Sequence, residues 1–255
     1  MVFYLVAAVA VLFIGIEKAG FGGGLIAVPL FLLVLDPKEA LGVILPLLCA
    51  CDVLAVYSYR RHFDRKNLRR LLPGSLIGIG LGSLLLGKVP DGQLKFWIGI
   101  LSMLFVIYHL GKAWVLKKIT AYHPDPWHGF FFGSLIGITS TLAHAAGPVA
   151  TMYLFPQRMH RQVFVGTNAI LFMVVNAAKL IPYVLLGMIT RKGLSLSASL
   201  ALLLPAGVLL GVWMNRKLNE RIFGAIIYAI TFLLGLQLAT GFNPVFLVAR
   251  MLGEK

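Results

Sequence analysis

Residues 17–31 read EKAGFGGGLIAVPLF, and residues 139–150 read TSTLAHAAGPVA. In both, a long apolar run is interrupted by small residues and then resumes through a proline. The pieces on either side are short. At 1.5 Å per residue, 2–17 spans roughly 24 Å and 23–35 roughly 20 Å, against a hydrocarbon core of about 30 Å. The pieces 128–141 and 146–156 are shorter still. Each pair therefore predicts a discontinuous helix or a re-entrant hairpin, and irregular backbone at membrane depth is tolerated only beside protein or a water-filled cavity. Gly20, Gly22, Gly23 and Gly24 permit close approach and unusual dihedrals. Pro148 suits the first position of a new half-helix.

The rest of the chain has the composition of a membrane protein. Of 255 residues 59% are hydrophobic, and the mean hydropathy is +0.90. A soluble domain is typically about 45–50% apolar. About eight segments are long and apolar enough to cross or enter a bilayer: 2–17 with 23–35, 40–59, 71–87, 93–111, 128–141 with 146–156, 162–187, 194–214 and 221–241. The fold class is thus all-α and polytopic, with no room for a sizeable soluble domain. The formal net charge is +14 with nine acidic residues. The basic residues cluster between apolar segments, notably in YRRHFDRKNLRR (59–70), which points to topology and anionic headgroups rather than nucleic acid. Cys49 and Cys51 are read as small membrane residues, because a C-x-C pair on a helix faces two sides and is no common zinc spacing. The N-terminal run lacks a basic n-region and a cleavage site, and is read as a retained membrane segment.

The order broken segment, helix, helix, helix occurs twice. GGGLIAVPLF (22–31) resembles AAGPVATMYLF (145–155), with Gly24 opposite Gly147. LGVILPLLCACDV (41–53) lines up with VGTNAILFMVVNA (165–177), placing Asp52 opposite Asn176. LPGSLIGIGLG (72–82) resembles LLLPAGVLLG (202–211). The expected division is a first repeat over 1–119, a second over 120–241 and a short interfacial tail over 242–255. Two-repeat plans are common among transporters. Basic residues put loops 60–70 and 112–127 in the cytoplasm. If each broken segment crosses once, the repeats are parallel; if each dips and returns, they are inverted. Flanking charge favours a first dip from outside and a second from inside.

A break exposes a helix N-terminus whose free N–H groups carry partial positive charge, and two such ends facing one cavity make an anion site. The substrate-binding candidates are Lys18, Gly20, Gly22, Gly23, Gly24, Thr141, His144, Ala146, Gly147, Asn168 and Asn176, with Thr139, Ser140 and Thr167 as further polar neighbours. Ionisable groups within a membrane are expensive and mark function by default. Glu17, Asp52 and Lys179 are therefore candidates for coupling or gating. Each also has a plainer reading: Glu17 can neutralise Lys18, Asp52 can make a helix-packing hydrogen bond, and Lys179 can snorkel to the interface. His144 suits a proton-linked role because its pKa lies near neutrality.

The stretches KAGFGGGLIAVPLF (18–31) and GITSTLAHAAGPVATMYLF (137–155), with the duplicated four-segment plan, resemble the sulfite exporter TauE/SafE family of membrane permeases. The likeness covers nearly the whole chain, and Gly22, Gly23, Gly24 and Pro29 fit the family's glycine-rich run before P-x-L. It implies transport of sulfite, organosulfonates or related sulfur anions across the cytoplasmic membrane, commonly export. The expected protein is a secondary transporter of a small anion working by alternating access at a midplane site, with possible proton coupling. It needs no cofactor, metal or nucleic acid, and the lipid bilayer is its surrounding partner. A passive anion channel is the alternative. An intramembrane enzyme is less well supported, since neither H-E-x-x-H nor G-x-S-x-G occurs.

Overall fold

Glycine at every fourth position puts a bare stripe along one side of a helix. Gly74, Gly78 and Gly82 do this in α4 (Arg65–Lys88), and Gly129, Gly133 and Gly137 do it in α6 (Pro126–Ala143). The two stripes meet. A Cβ on Gly78 would lie 2.1 Å from the Ser134 carbonyl oxygen, and one on Gly133 would lie 2.2 Å from that of Leu71. Gly74 faces Phe130 while Gly82 faces Ile138 and Thr141, so numbers rise together and the helices run parallel. Close backbone approach of this kind is how helices associate in lipid, where apolar burial between them gains little.

The structure, a computed structural model, describes residues 2–17, 26–117, 124–217 and 220–241, and among these every regular element is helical. Lys18, Gly20, Gly22, Gly23 and Gly24 lie outside the described residues, as does the tail 242–255. The remaining helices are α1 (Val2–Ile16), α2 (Ala27–Phe31), α3 (Pro37–Tyr59), α5 (Asp91–Lys117), α7 (Ala146–Leu154), α8 (Arg161–Leu185), α9 (Arg191–Ala201), α10 (Leu204–Lys217) and α11 (Glu220–Thr240). Their starts follow ordinary capping chemistry. Pro37 and Pro126 open α3 and α6, Asp64 accepts from the Lys66 and Asn67 N–H groups at the start of α4, and Thr190 accepts from Gly193 N–H at the start of α9. Pro37–Tyr59, Arg65–Lys88, Asp91–Gly111 and Arg161–Leu185 are each long and apolar enough to span a membrane.

The expected single segment 194–214 is bent by 44° between α9 and α10. Pro205 supplies the reason: it has no N–H to offer the carbonyl of Ala201, the last residue of α9. α9 packs on α3, where Ser197 Oγ donates to the Val43 carbonyl at 2.8 Å. Beyond the bend α10 packs on α1, with Gly207 against Leu12 and Gly15.

α3 and α8 cross antiparallel. Gly166 lies against the Tyr59 and His62 carbonyls, Asp52 pairs with Asn176, and Gly42 lies against Met188. α5 and α11 are also antiparallel, since Gly99 meets Gly235 and Ala239 while His109 stacks on Tyr228 at 4.4 Å.

The second broken segment is a hairpin. α6 starts beside α4, where Arg70 donates to the Pro124 carbonyl at 2.5 Å. α7 returns to the same place, where Asn67 donates to Gln157 at 2.8 Å, and Phe132 of α6 stacks on Tyr153 of α7 at 5.6 Å. α8 starts there too, with Thr167 Oγ1 accepting from Asp64 N–H at 2.9 Å. The chain thus enters along α6, turns at residues 144–145, comes back along α7 and re-enters along α8. Pro148 falls at the third position of α7, not the first. Cysteines introduced at His62 and Arg158, both exposed, are therefore expected to react with a membrane-impermeant thiol reagent from one and the same side. Labelling from opposite sides would mean that α6 and α7 together cross the membrane.

Candidate functional site

The hairpin tip is built by an unusual helix ending. His144 N–H donates to the Ser140 carbonyl at 2.9 Å, closing α6 in an αL motif, and Ala145 N–H reaches further back to the Thr139 carbonyl at 3.2 Å. The left-handed residue is His144, at φ 52° and ψ 28°, where glycine is usual. For an L-residue this conformation costs roughly 1–2 kcal/mol, so the ring must be held. Its Nε2 lies 3.1 Å from the Leu41 carbonyl oxygen of α3, and its Nδ1 lies 2.9 Å from Nζ of Lys179 on α8. A carbonyl only accepts, so Nε2 carries hydrogen. An ammonium only donates, so Nδ1 accepts.

Lys179 is fully buried. Besides His144 it donates to the Ser140 carbonyl at 3.1 Å and to Ser140 Oγ at 2.8 Å. One turn away on the same face of α8, Asn176 Nδ2 donates to Asp52 Oδ2 of α3 at 2.5 Å, and Asp52 is also fully buried. One turn the other way, Tyr183 donates to the Thr141 carbonyl at 2.7 Å. A polar face over 176, 179 and 183 thus ties α8 to α3 on one side and to the hairpin tip on the other.

α7 opens directly after the tip. Ala145 gives it no side-chain cap, and Pro148 removes one donor, leaving the N–H groups of Ala146 and Gly147 without helical acceptors. No described atom comes within 4 Å of a Cβ placed on Gly147. This glycine therefore serves no packing contact among the described residues, unlike Gly129, Gly133 and Gly137 on α6.

Of the candidates named from sequence, His144, Ala146, Gly147 and Lys179 meet at the tip, and Asp52 and Asn176 adjoin them. Thr141 is nearby, but its hydroxyl donates to the Gly137 carbonyl at 2.8 Å and its side chain packs against Gly82. Asn168 stays apart, donating to the Phe164 carbonyl of its own helix, and its Oδ1 is buried without a partner among the described residues. Thr167 fastens α8 to the start of α4. Glu17 ends the α1 stretch and is partly buried. Sequence reasoning missed Tyr183 and the Leu41 carbonyl. The i, i+3, i+7 spacing of Asn176, Lys179 and Tyr183 would have found the first; nothing in a sequence marks a backbone acceptor.

A family profile described as sulfite exporter TauE/SafE matches residues 3–238. The chain belongs to this family. It is therefore a multi-pass membrane protein of the TauE/SafE transporter type, in keeping with its long apolar helices. Comparison with curated proteins and with solved structures gives no match.

Proposed function

We propose that this TauE/SafE protein is a secondary transporter that exports a small sulfur-containing anion, sulfite or an organosulfonate, across the cytoplasmic membrane. The observation that carries this reading is the fully buried Lys179 hydrogen-bonded to the tip of a re-entrant hairpin, beside a helix start with free N–H groups. Cation and helix N-terminus both favour an anion.

Alternating access is supported by helix directions. One offset of 124 residues relates Asp52 to Asn176, and the same offset relates Gly42 to Gly166. Each glycine packs on the segment that follows the partner helix, and the two equivalent polar residues bond to each other. Two inverted repeats about an axis in the membrane plane would give these contacts, whereas parallel repeats would make α3 and α8 run the same way. The packing of α6 on α4 then has its counterpart in that of α1 on α10. On this reading 1–119 and 120–241 are the repeats, and Lys18, Gly20, Gly22, Gly23 and Gly24, which lie outside the described residues, are the first repeat's candidate anion contacts. Asn168 is a peripheral polar contact.

The ends of α6 and α7 lie at the basic side of the molecule, where Arg60, Arg61, Arg65, Lys66, Arg158 and Arg161 are exposed. By the positive-inside rule that side is cytoplasmic, so loops 60–70 and 112–127 are too. A monovalent anion leaving the cell gains about 2.3 kcal/mol per 100 mV, inside negative, and outward transport needs no nucleotide. In proteoliposomes loaded with sulfite, methanesulfonate, thiosulfate or acetate, sulfur anions are expected to leave faster than acetate and faster than from empty liposomes. Equal rates with and without protein for every sulfur anion would overturn the proposal.

A further inference from the structure

We infer that Lys179 is a latch on the hairpin tip and that the transported anion releases it. The inference rests on the transport reading above and adds the step that links binding to movement. The partners Lys179 holds on α6 and at the tip are Ser140 O, Ser140 Oγ and His144 Nδ1. All three are neutral acceptors, and all three belong to one turn of chain. An oxyanion is a stronger acceptor for an ammonium than any of them, because hydrogen bonds between two ions are roughly twice as strong as neutral ones. An anion reaching the α7 start therefore competes with the tip for the same Nζ hydrogens.

Losing the bond to Nδ1 matters because His144 is in a left-handed conformation that its ring contacts hold in place. With Lys179 turned to the anion, the ring keeps its contact with the Leu41 carbonyl and its 6.0 Å ring contact with Tyr183 but loses its hydrogen bond to α8. The helix-ending bonds of His144 and Ala145 N–H then open more often, and the tip is free to move relative to α8. The anion thus exchanges a fixed tip for a mobile one. At the 124-residue offset the counterpart of Lys179 is Ala55, so α3 carries no lysine at the equivalent position.

Hydrogen exchange of the full-length protein in detergent tests this, using sodium sulfite as probe and sodium chloride at equal ionic strength as control. At sulfite concentrations that saturate efflux from liposomes, the amides of residues 144–145 are expected to exchange about tenfold faster than in chloride, the factor that loss of one charge-assisted hydrogen bond corresponds to. In Lys179→Gln the fast exchange is expected without sulfite and is unchanged by it. Ser140→Ala, a smaller change, is expected to fall between. If wild-type exchange at 144–145 is unchanged or slowed by sulfite while efflux proceeds, the latch is wrong and the transport reading stands. If no sulfur anion is moved, the transport reading itself fails.

Discussion

Leucine in place of Gly78 is expected to leave almost no folded protein, while leucine in place of Gly80 on the same helix is tolerated. A Cβ at 78 would lie 2.1 Å from the Ser134 carbonyl oxygen, 2.9 Å from its carbon and 3.0 Å from its Cα. All three are backbone atoms of α6, so no side chain can swing aside. α4 and α6 would have to separate, and with them Gly74 against Phe130, Gly82 against Thr141 and Gly133 against Leu71. Overpacking a well-packed core costs about 1–3 kcal/mol even where side chains can yield, and here they cannot. In lipid the lost contacts are the main source of association. At Gly80 nothing lies within 4 Å among the described residues, and the position is exposed. Thermal unfolding and the monodisperse fraction after detergent extraction distinguish the two. If Gly78→Leu behaves like Gly80→Leu, the parallel glycine-to-glycine packing is wrong.

That interface also shows what the amino-acid sequence reveals and what it hides. The interruption near residue 144 is legible because small residues, glycine and proline stand together between two runs too short to span. The presence of α3, α4, α5 and α8 follows from apolar length, and so do the bounds of α3 and α8 to within a few residues, whereas α4 starts at Arg65 and α5 runs to Lys117, inside the basic stretches read as loops. The glycines at 74, 78 and 82 and at 129, 133 and 137 are equally visible as fourfold spacings, but the spacing does not say which stripe meets which. Flanking charge already favours a dip from inside for the second broken segment, but whether it crosses or returns is decided by contacts such as Arg70 to Pro124 and Asn67 to Gln157, between residues 54 and 90 apart. The bend at Ala201 was missed because Pro205 stands inside an apolar run of spanning length. At the site, Lys179 was open to a snorkelling reading, since a lysine near the end of a helix has the same sequence signature whether it reaches for water or for Ser140.

The second large effect concerns transport, not folding. Gly147 differs from the packing glycines in having no described atom within 4 Å of a Cβ and an ordinary right-handed backbone. Its N–H is one of the two that the start of α7 leaves without a helical acceptor. A leucine there adds four carbons to the pocket and shields the N–H groups of Ala146 and Gly147, leaving α4, α6 and α8 packed as before. A donor aimed at an anion from a preorganised site is worth roughly 2–4 kcal/mol, so blocking two of them is expected to slow anion efflux by at least about thirtyfold.

The most direct measurement of the central claim is therefore sulfite and methanesulfonate efflux from proteoliposomes holding wild-type or Gly147→Leu protein at matched density, with unfolding temperatures recorded for both. An anion site at the hairpin tip predicts a variant that unfolds within a few degrees of wild type and moves neither anion faster than about a thirtieth of its rate. A stable Gly147→Leu protein that exports both anions at the wild-type rate would place the pathway elsewhere.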